Sequence, residues 1–422
     1  MDPTEHLFRR ESGRMVAALT RIFGVHNLSL AEDVVQDAFY RALEVWKFRG
    51  VPENPSAWLM RTAKNRALDL VRRDRNIRRF APDIESLLSS EWTLAPFVAG
   101  AFEEHSIQDD ELRMMFSCCH PDLPEIAQVA LILNVCCGFS ISEIASAFLV
   151  SQSAMEKRIA RAKKVFTHSK RLFELESGAD LSARLDSVQR AVYLLFNEGY
   201  HGASSQASVR ADLCYEALRL GDQLLGHRLA ATPATQALCA LMAFNAARLR
   251  SRVDQNGHLA SLLDQDRTLW DIHLIELGHR RLSESATGCE ASSFHFEAAI
   301  ASIHASARNF EETDWSAIVS LYDVLLSIQP SPVVALNRAI AIAQAEGPER
   351  GLEEIHAIVD GERLLEYPFF KAALGELEMR TGRLESAAKR FQAAMALARN
   401  PSERDFLQER LRVCRQTSPS IV

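Results

Sequence analysis

The sequence predicts an all-α protein, on three observations: apolar residues recur at helical spacing through most of the chain, no run alternates apolar and polar residues as a strand would, and no hairpin turn dipeptide recurs at regular intervals. With 422 residues the chain exceeds one ordinary hydrophobic core, so two or three domains are expected. Hydrophobic residues make up 47% and charged residues 24%, the balance of a chain that folds throughout. The most apolar window, residues 126–139, is broken by Gln128 and Asn134 and is too short to cross a bilayer. The N-terminus is polar and acidic and lacks a signal-peptide pattern. A cytoplasmic chain with no membrane contact is the expectation.

The net charge of −7 conceals an asymmetry. Residues 61–80 carry eight basic and two acidic side chains, and residues 151–171 carry seven basic and one acidic, so each cluster is net +6 and the remainder is near −19. Two compact basic clusters in an acidic chain have the form of two separate contacts with a phosphate backbone. A basic cluster alone can equally be a solvated face, so the local pattern has to decide.

The first module holds two helices. In AEDVVQDAFYRALEVW, residues 31–46, Val35, Ala38, Phe39, Ala42 and Trp46 form an apolar stripe, leaving Glu32, Asp33, Gln36, Asp37 and Arg41 outward. An acidic outward face suits a protein partner. In PSAWLMRTAKNRALDLVRRDRN, residues 55–76, Met60, Ala63, Ala67, Leu70 and Val71 line one side, with Trp58, Thr62, Asn65, Asp69 and Arg72 opposite. An exposed aromatic ring beside an amide and arginines suits unpaired bases, which stack on rings while cations hold the backbone. The competing reading puts Trp58 in the core, where most tryptophans are largely buried.

Residues 81–111 carry eight acidic side chains, no Lys or Arg, and Pro82 and Pro96, the pattern of an extended linker. In GFSISEIASAFLVSQSAMEKRIARAKKVF, residues 138–166, Ile141, Ile144, Ala145 and Phe148 make one apolar face. After a short break Met155, Ile159, Ala162 and Phe166 make another. Two short helices joined by a tight turn form a helix-turn-helix. Ser153, Lys157, Ala160 and Lys164 point away from the stripe, with Glu156 and Arg161 beside them. Ser151, Gln152 and Ser153 start the second helix, where free backbone N–H groups meet phosphates and base edges, and Lys157, Arg158 and Arg161 would hold the DNA backbone. The bland alternative is a surface helix of a bundle, solvated by its own cations.

Beyond Ser177 the chain reads as Ala- and Leu-rich amphipathic helices. Ala317-x3-Leu321-x2-Val324, Gly351-x3-Ile355-x2-Ile358 and Ala387-x3-Phe391-x2-Ala394 start 34 and 36 residues apart, which is tetratricopeptide spacing, and predict helix pairs over residues 313–415. Residues 181–310 show that pattern poorly. The eight cysteines include the vicinal pairs Cys118–Cys119 and Cys136–Cys137 but no zinc spacing, so buried thiols are expected, with a vicinal redox pair or a site at Cys119 and His120 as the alternative. Asn197, Glu198, Tyr200 and His201, or Asp264, Asp266, Arg267 and Trp270, could make a polar pocket. No metal spacing, nucleophile elbow or phosphate loop accompanies them, so no enzyme, cofactor or metal is expected.

AEDVVQDAF followed by AWLMRTAKNRALDLVRR resembles region 2 of the extracytoplasmic-function sigma factors of the sigma-70 family, and GFSISEIASAFLVSQSAMEKRIARAKK resembles their region 4. The chain from Asp110 onward, with LRMMFSCCHPDLP, YLLFNEGY and SPVVALNRAIA, is similar to the subgroup with a tetratricopeptide-like extension. The resemblance implies a region 2 bundle over residues 1–80, an acidic linker over 81–109, a region 4 helix-turn-helix over 110–171 and a helical-repeat domain over 178–422. It also implies binding to core RNA polymerase at the β′ clamp and β flap, with Asp33, Gln36, Asp37, Phe39 and Arg41 gripping the clamp. Trp58, Arg61, Thr62, Asn65, Arg72 and Arg73, with the loop from Lys47 to Asn54, would open and capture the −10 promoter element. Ser151, Gln152, Ser153, Lys157, Arg158 and Arg161 would read the −35 element. Leu149 stands where such turns usually carry Gly, and Ala154 where Thr is usual. The extension would tune sigma activity and offers a surface for a protein or peptide partner. The rival reading is a helix-turn-helix regulator with a repeat sensor, which leaves residues 31–76 without a purpose.

Overall fold

Buried positions recur every three or four residues along the computed structural model, which is why nearly every segment closes as an α-helix. The structure describes residues 3–73, 104–148, 150–168, 178–201, 209–253, 259–288, 291–365, 367–398 and 400–417. Among them there is no strand, only an isolated bridge between Val253 and Leu259. The chain divides into two compact units, Met1–Leu195 with Gly226–Ala230, and Phe196–Leu225 with Ala231–Val422.

In the first unit, α1 (Pro3–Phe23), α2 (Leu28–Arg49) and α3 (Pro55–Arg73) precede α4 (Glu104–Cys118), α5 (Glu125–Val135), α6 (Ile141–Ala147), α7 (Gln152–His168) and most of α8 (Gly178–His201), whose residues from Phe196 onward count with the second unit. The two modules expected on either side of a linker pack here into one unit, because α1 lies against α2, α3 and α4 together. Met15, Ala17, Ala18, Leu19 and Ile22 of α1 are wholly buried, and so are Met114 and Met115 of α4. Gly13 makes the approach possible: a Cβ there would stand 1.8 Å from the Cys136 carbonyl oxygen. In α5 Val129, Ala130, Leu131, Ile132 and Leu133 are all at most 1% exposed, the signature of a helix enclosed on every side. Arg184 of α8 donates to the Phe116 carbonyl at 3.2 Å, and Arg190 pairs with Glu125 at 2.7 Å.

One sequence expectation fails in this unit. The acidic run was read as linker as far as Glu111, yet from Glu104 onward it is helix α4, and Asp110 and Glu111 are buried. Asp110 faces Arg21, whose Nη1 stands 3.4 Å from Oδ2, and that cation makes burial of the carboxylate tolerable. The expected linker over residues 81–103 lies outside the described residues. The seven cysteines described are buried, and burial pushes the Cys119 thiol up to about 12. They are the inert core thiols that the absence of ligand spacing suggested.

The second unit continues from Phe196 with α9 (Ala211–Gly226), α10 (Pro233–Ala246), α11 (Ile272–Ser285) and α12 (Ser293–Ser306). Helix α10 starts on an N-capping Thr232, whose Oγ1 accepts the Thr235 amide at 3.3 Å, and it is buried from Ala237 to Phe244 between α11 and α12. Then come α13 (Trp315–Ile328), α14 (Pro332–Ala345), α15 (Pro348–His356), α16 (Pro368–Arg380), α17 (Leu384–Ala396) and α18 (Pro401–Thr417), each packed on the next. Alternate helices begin 33 and 36 residues apart at Trp315, Pro348 and Leu384, so the spacing seen in the sequence is a spacing of helix pairs. Small residues sit where helices touch: a Cβ on Gly351 would meet Ala343 Cβ at 2.3 Å. Val324 departs from the pattern, 42% exposed where its counterpart Ala394 is wholly buried.

Candidate nucleic-acid interface

The helix-turn-helix forms as its pattern requires. Ser140 Oγ accepts the Glu143 amide at 3.3 Å, and Glu143 Oε2 takes the Ser140 amide and hydroxyl at 2.8 Å, a reciprocal cap that starts α6. Glu143 Oε1 also takes a bond from Arg9 Nη1 at 2.8 Å. Burial pushes the Glu143 carboxyl up, but Arg9 and the Ser140 donors outweigh it and bring it down to about 2. The cap of the helix-turn-helix is thus tied by an ion pair to helix α1.

Helix α7 lays Met155, Ile159, Ala162 and Phe166 into the core, none more than 3% exposed. Each large side chain among them contributes about 1.5–3 kcal/mol on burial, which fixes the helix rotation. The opposite face follows: Ser153, Glu156, Lys157, Ala160, Arg161 and Lys164 are exposed, and Arg158 is half-buried. Ser151 Oγ accepts the Ala154 amide at 3.3 Å, and Ser151, Gln152 and Ser153 stand exposed at the helix start. Leu149, in the turn before it, lies outside the described residues. Amides at a positive helix end, with Lys157, Arg161 and Lys164 behind them, can hold phosphates and reach base edges.

On α2 Asp33, Gln36, Asp37 and Arg41 are exposed as expected, whereas Glu32 is half-buried against Lys163 at 2.6 Å; Phe39 is half-buried, stacked on Phe8 at 4.4 Å. Asp37 lies 3.3 Å from Arg66, a pair open enough to water to contribute under about 1 kcal/mol. Sequence reasoning missed the bare aromatics beside this face. Tyr40 is 71% exposed and Phe48 84%. Their signal was placement off the Val35–Ala38–Ala42–Trp46 stripe, and exposed rings of this size mark a contact surface.

On α3 the buried edge differs by one residue from the expectation. Leu59, Ala63 and Ala67 are wholly buried, while Met60 and Leu70 are only half-buried. Trp58 therefore turns inward, half-buried and edge-on to Trp46 at 5.5 Å, rather than fully outward. Arg61 and Asn65 are exposed, and Thr62 Oγ1 donates to the Trp58 carbonyl at 2.9 Å. The side chains of Arg72 and Arg73, in the last turn of α3, lie outside the described residues. The loop placed at Lys47–Asn54 is shorter than expected, because α2 continues to Arg49.

Residues 7–77 match Sigma-70 region 2 and residues 113–165 match Sigma-70, region 4. Over 158 residues the chain is 33% identical to the RNA polymerase sigma factor NccH of Alcaligenes xylosoxydans xylosoxydans, covering 37% of this chain and 80% of that protein. The chain belongs to the sigma-70 family. As a sigma factor it serves transcription initiation, and region 2 supplies α1, α2 and α3 while region 4 supplies the helix-turn-helix. Residues 184–286 match a family of unknown function. An uncharacterised protein of Rhizobium meliloti (strain 1021) is 39% identical over 396 residues, which covers 94% of this sigma factor and 92% of the relative. Among the described residues no helix is long and apolar enough to cross a membrane.

Proposed function

We propose that this sigma factor is of the extracytoplasmic-function type, that it grips core RNA polymerase through the acidic outward face of α2, and that it reads two promoter elements with α3 and α7. The observation that carries the reading is the exposed face of α7, where Ser151, Gln152, Ser153, Lys157 and Arg161 stand opposite a fully buried stripe. Asp33, Gln36, Asp37 and Arg41 would meet the β′ clamp, with Phe39 anchored on Phe8 behind them. Arg61 and Asn65, with the neighbouring Trp58, would capture the −10 element, and Arg158 would join Lys157 and Arg161 on the −35 backbone. Protein and DNA positioning carry such a role without covalent chemistry, so no cofactor is needed. The helix pairs from α13 to α18 are tetratricopeptide-like in this reading, and the C-terminal half modulates initiation.

Both DNA-facing modules belong to one compact unit, held by Arg9–Glu143, Arg21–Asp110 and Lys163–Glu32, the last at 2.6 Å. The test of the core-binding face is a charge reversal, Asp33→Lys with Asp37→Lys, both side chains being exposed and tolerant of substitution. Binding to core polymerase should fall at least about tenfold while binding to promoter duplex is kept. Unchanged core binding would refute that face, and would favour a regulator that binds duplex alone.

A further inference from the structure

We propose that the second unit binds a small organic acid, a carboxylate carried on an apolar body, in a cavity walled by Arg252, Phe369, Ala372, Phe406 and Leu407. The cavity has a volume of about 180 Å³, room for roughly six waters. Its lining is mostly carbon, contributed by α16, α18 and the segment after Leu259, so water inside it is poorly partnered and an apolar body displaces it favourably. Arg252 supplies the charged end. Its guanidinium lies over the Tyr200 ring at 4.2 Å and donates from Nη2 to the Tyr200 carbonyl at 3.0 Å, which fixes its orientation.

On this wall Arg252 Nε is buried without a hydrogen-bond partner, and so is the Oη of Tyr200, whose ring lies behind it, although such groups are normally satisfied. More positive charge lies nearby: Arg248 is held below its ordinary value by burial and by Arg252, and it stacks on Trp270 at 5.4 Å. The wall also holds one carboxylate, Glu403. It sits in the first turn of α18, where its amide is taken by Asn400 Oδ1 at 2.8 Å and the helix dipole offsets negative charge. An anionic ligand therefore meets a half-buried, fixed cation beside an apolar wall, where a charged hydrogen bond is stronger than in open water.

The experiment is calorimetric titration of the full chain with phenylpropionate, phenylpropanol and phenylpropylamine, three probes of one size that differ in charge. The acid should bind saturably, about ten- to a hundredfold tighter than the alcohol, with the amine weakest. Arg252→Gln should lose about tenfold or more for the acid and leave the alcohol unchanged. Ala372→Phe fills the cavity and should abolish binding of all three, with thermal melting confirming that both variants fold. No saturable heat with any probe, equal affinity for acid and alcohol, or unaltered acid binding in both folded variants would overturn the proposal. Because the readout is binding alone, it stands or falls separately from core-polymerase association.

Discussion

One glutamate and one histidine lose stability over different acid windows. Glu143 lies at about 2 in the fold against an ordinary 4.5, so as pH falls the unfolded chain takes up the proton first. Stability is full above 4.5 and is lost toward 2; Glu143→Gln should cost about 1–3 kcal/mol at neutral pH and flatten that acid limb in urea titrations. His304 is pushed down to about 4 by burial, with Arg248 and Arg267 adding to it, against an ordinary 6.5. Here too the unfolded chain binds the proton first, but the loss falls between pH 6.5 and 4. Thermal melts of His304→Gln should lose that drop, and an unchanged profile would place the titration elsewhere. Lys157 is exposed and unpaired in its role, so Lys157→Ala should leave stability within about 0.5 kcal/mol, weaken promoter-duplex binding and reduce the salt slope by about one unit.

Helices show how far a pattern can be read before packing is known. The α7 stripe was legible because Met155, Ile159, Ala162 and Phe166 alternate with charged neighbours, leaving one rotation that buries carbon. On α3 the sequence offered two apolar edges, since Leu59 and Met60 adjoin, and only the neighbour Trp46 decides that Leu59 and Trp58 turn inward. Asp110 was illegible as core, because its partner Arg21 is 89 residues away and a carboxylate alone reads as surface. The bare Tyr40 and Phe48 were missed since an aromatic in an amphipathic helix is read as core by default. In the C-terminal half, spacing betrayed the α13 to α18 pairs, whereas α9 to α12 lack an internal period. Close packing in those pairs gives a direct test: Gly351→Ala drives a methyl to within 2.3 Å of Ala343 Cβ and should cost about 1–3 kcal/mol in denaturant unfolding. A neutral substitution there would mean that α14 and α15 separate easily.

At the scale of the molecule, the sequence announces two basic clusters in an acidic chain, and the fold makes one of them the exposed face of a region 4 helix joined to α2 by the Lys163–Glu32 ion pair. The resulting account is of a sigma factor whose region 2 and region 4 helices pack in one compact unit. Its central claim is promoter-dependent initiation, which run-off transcription tests most directly, using core RNA polymerase, this chain and a template carrying both elements across a range of salt. A transcript of the expected length that requires the chain, and vanishes with Asp33→Lys and Asp37→Lys, is the predicted result. No chain-dependent transcript at any salt concentration would contradict it.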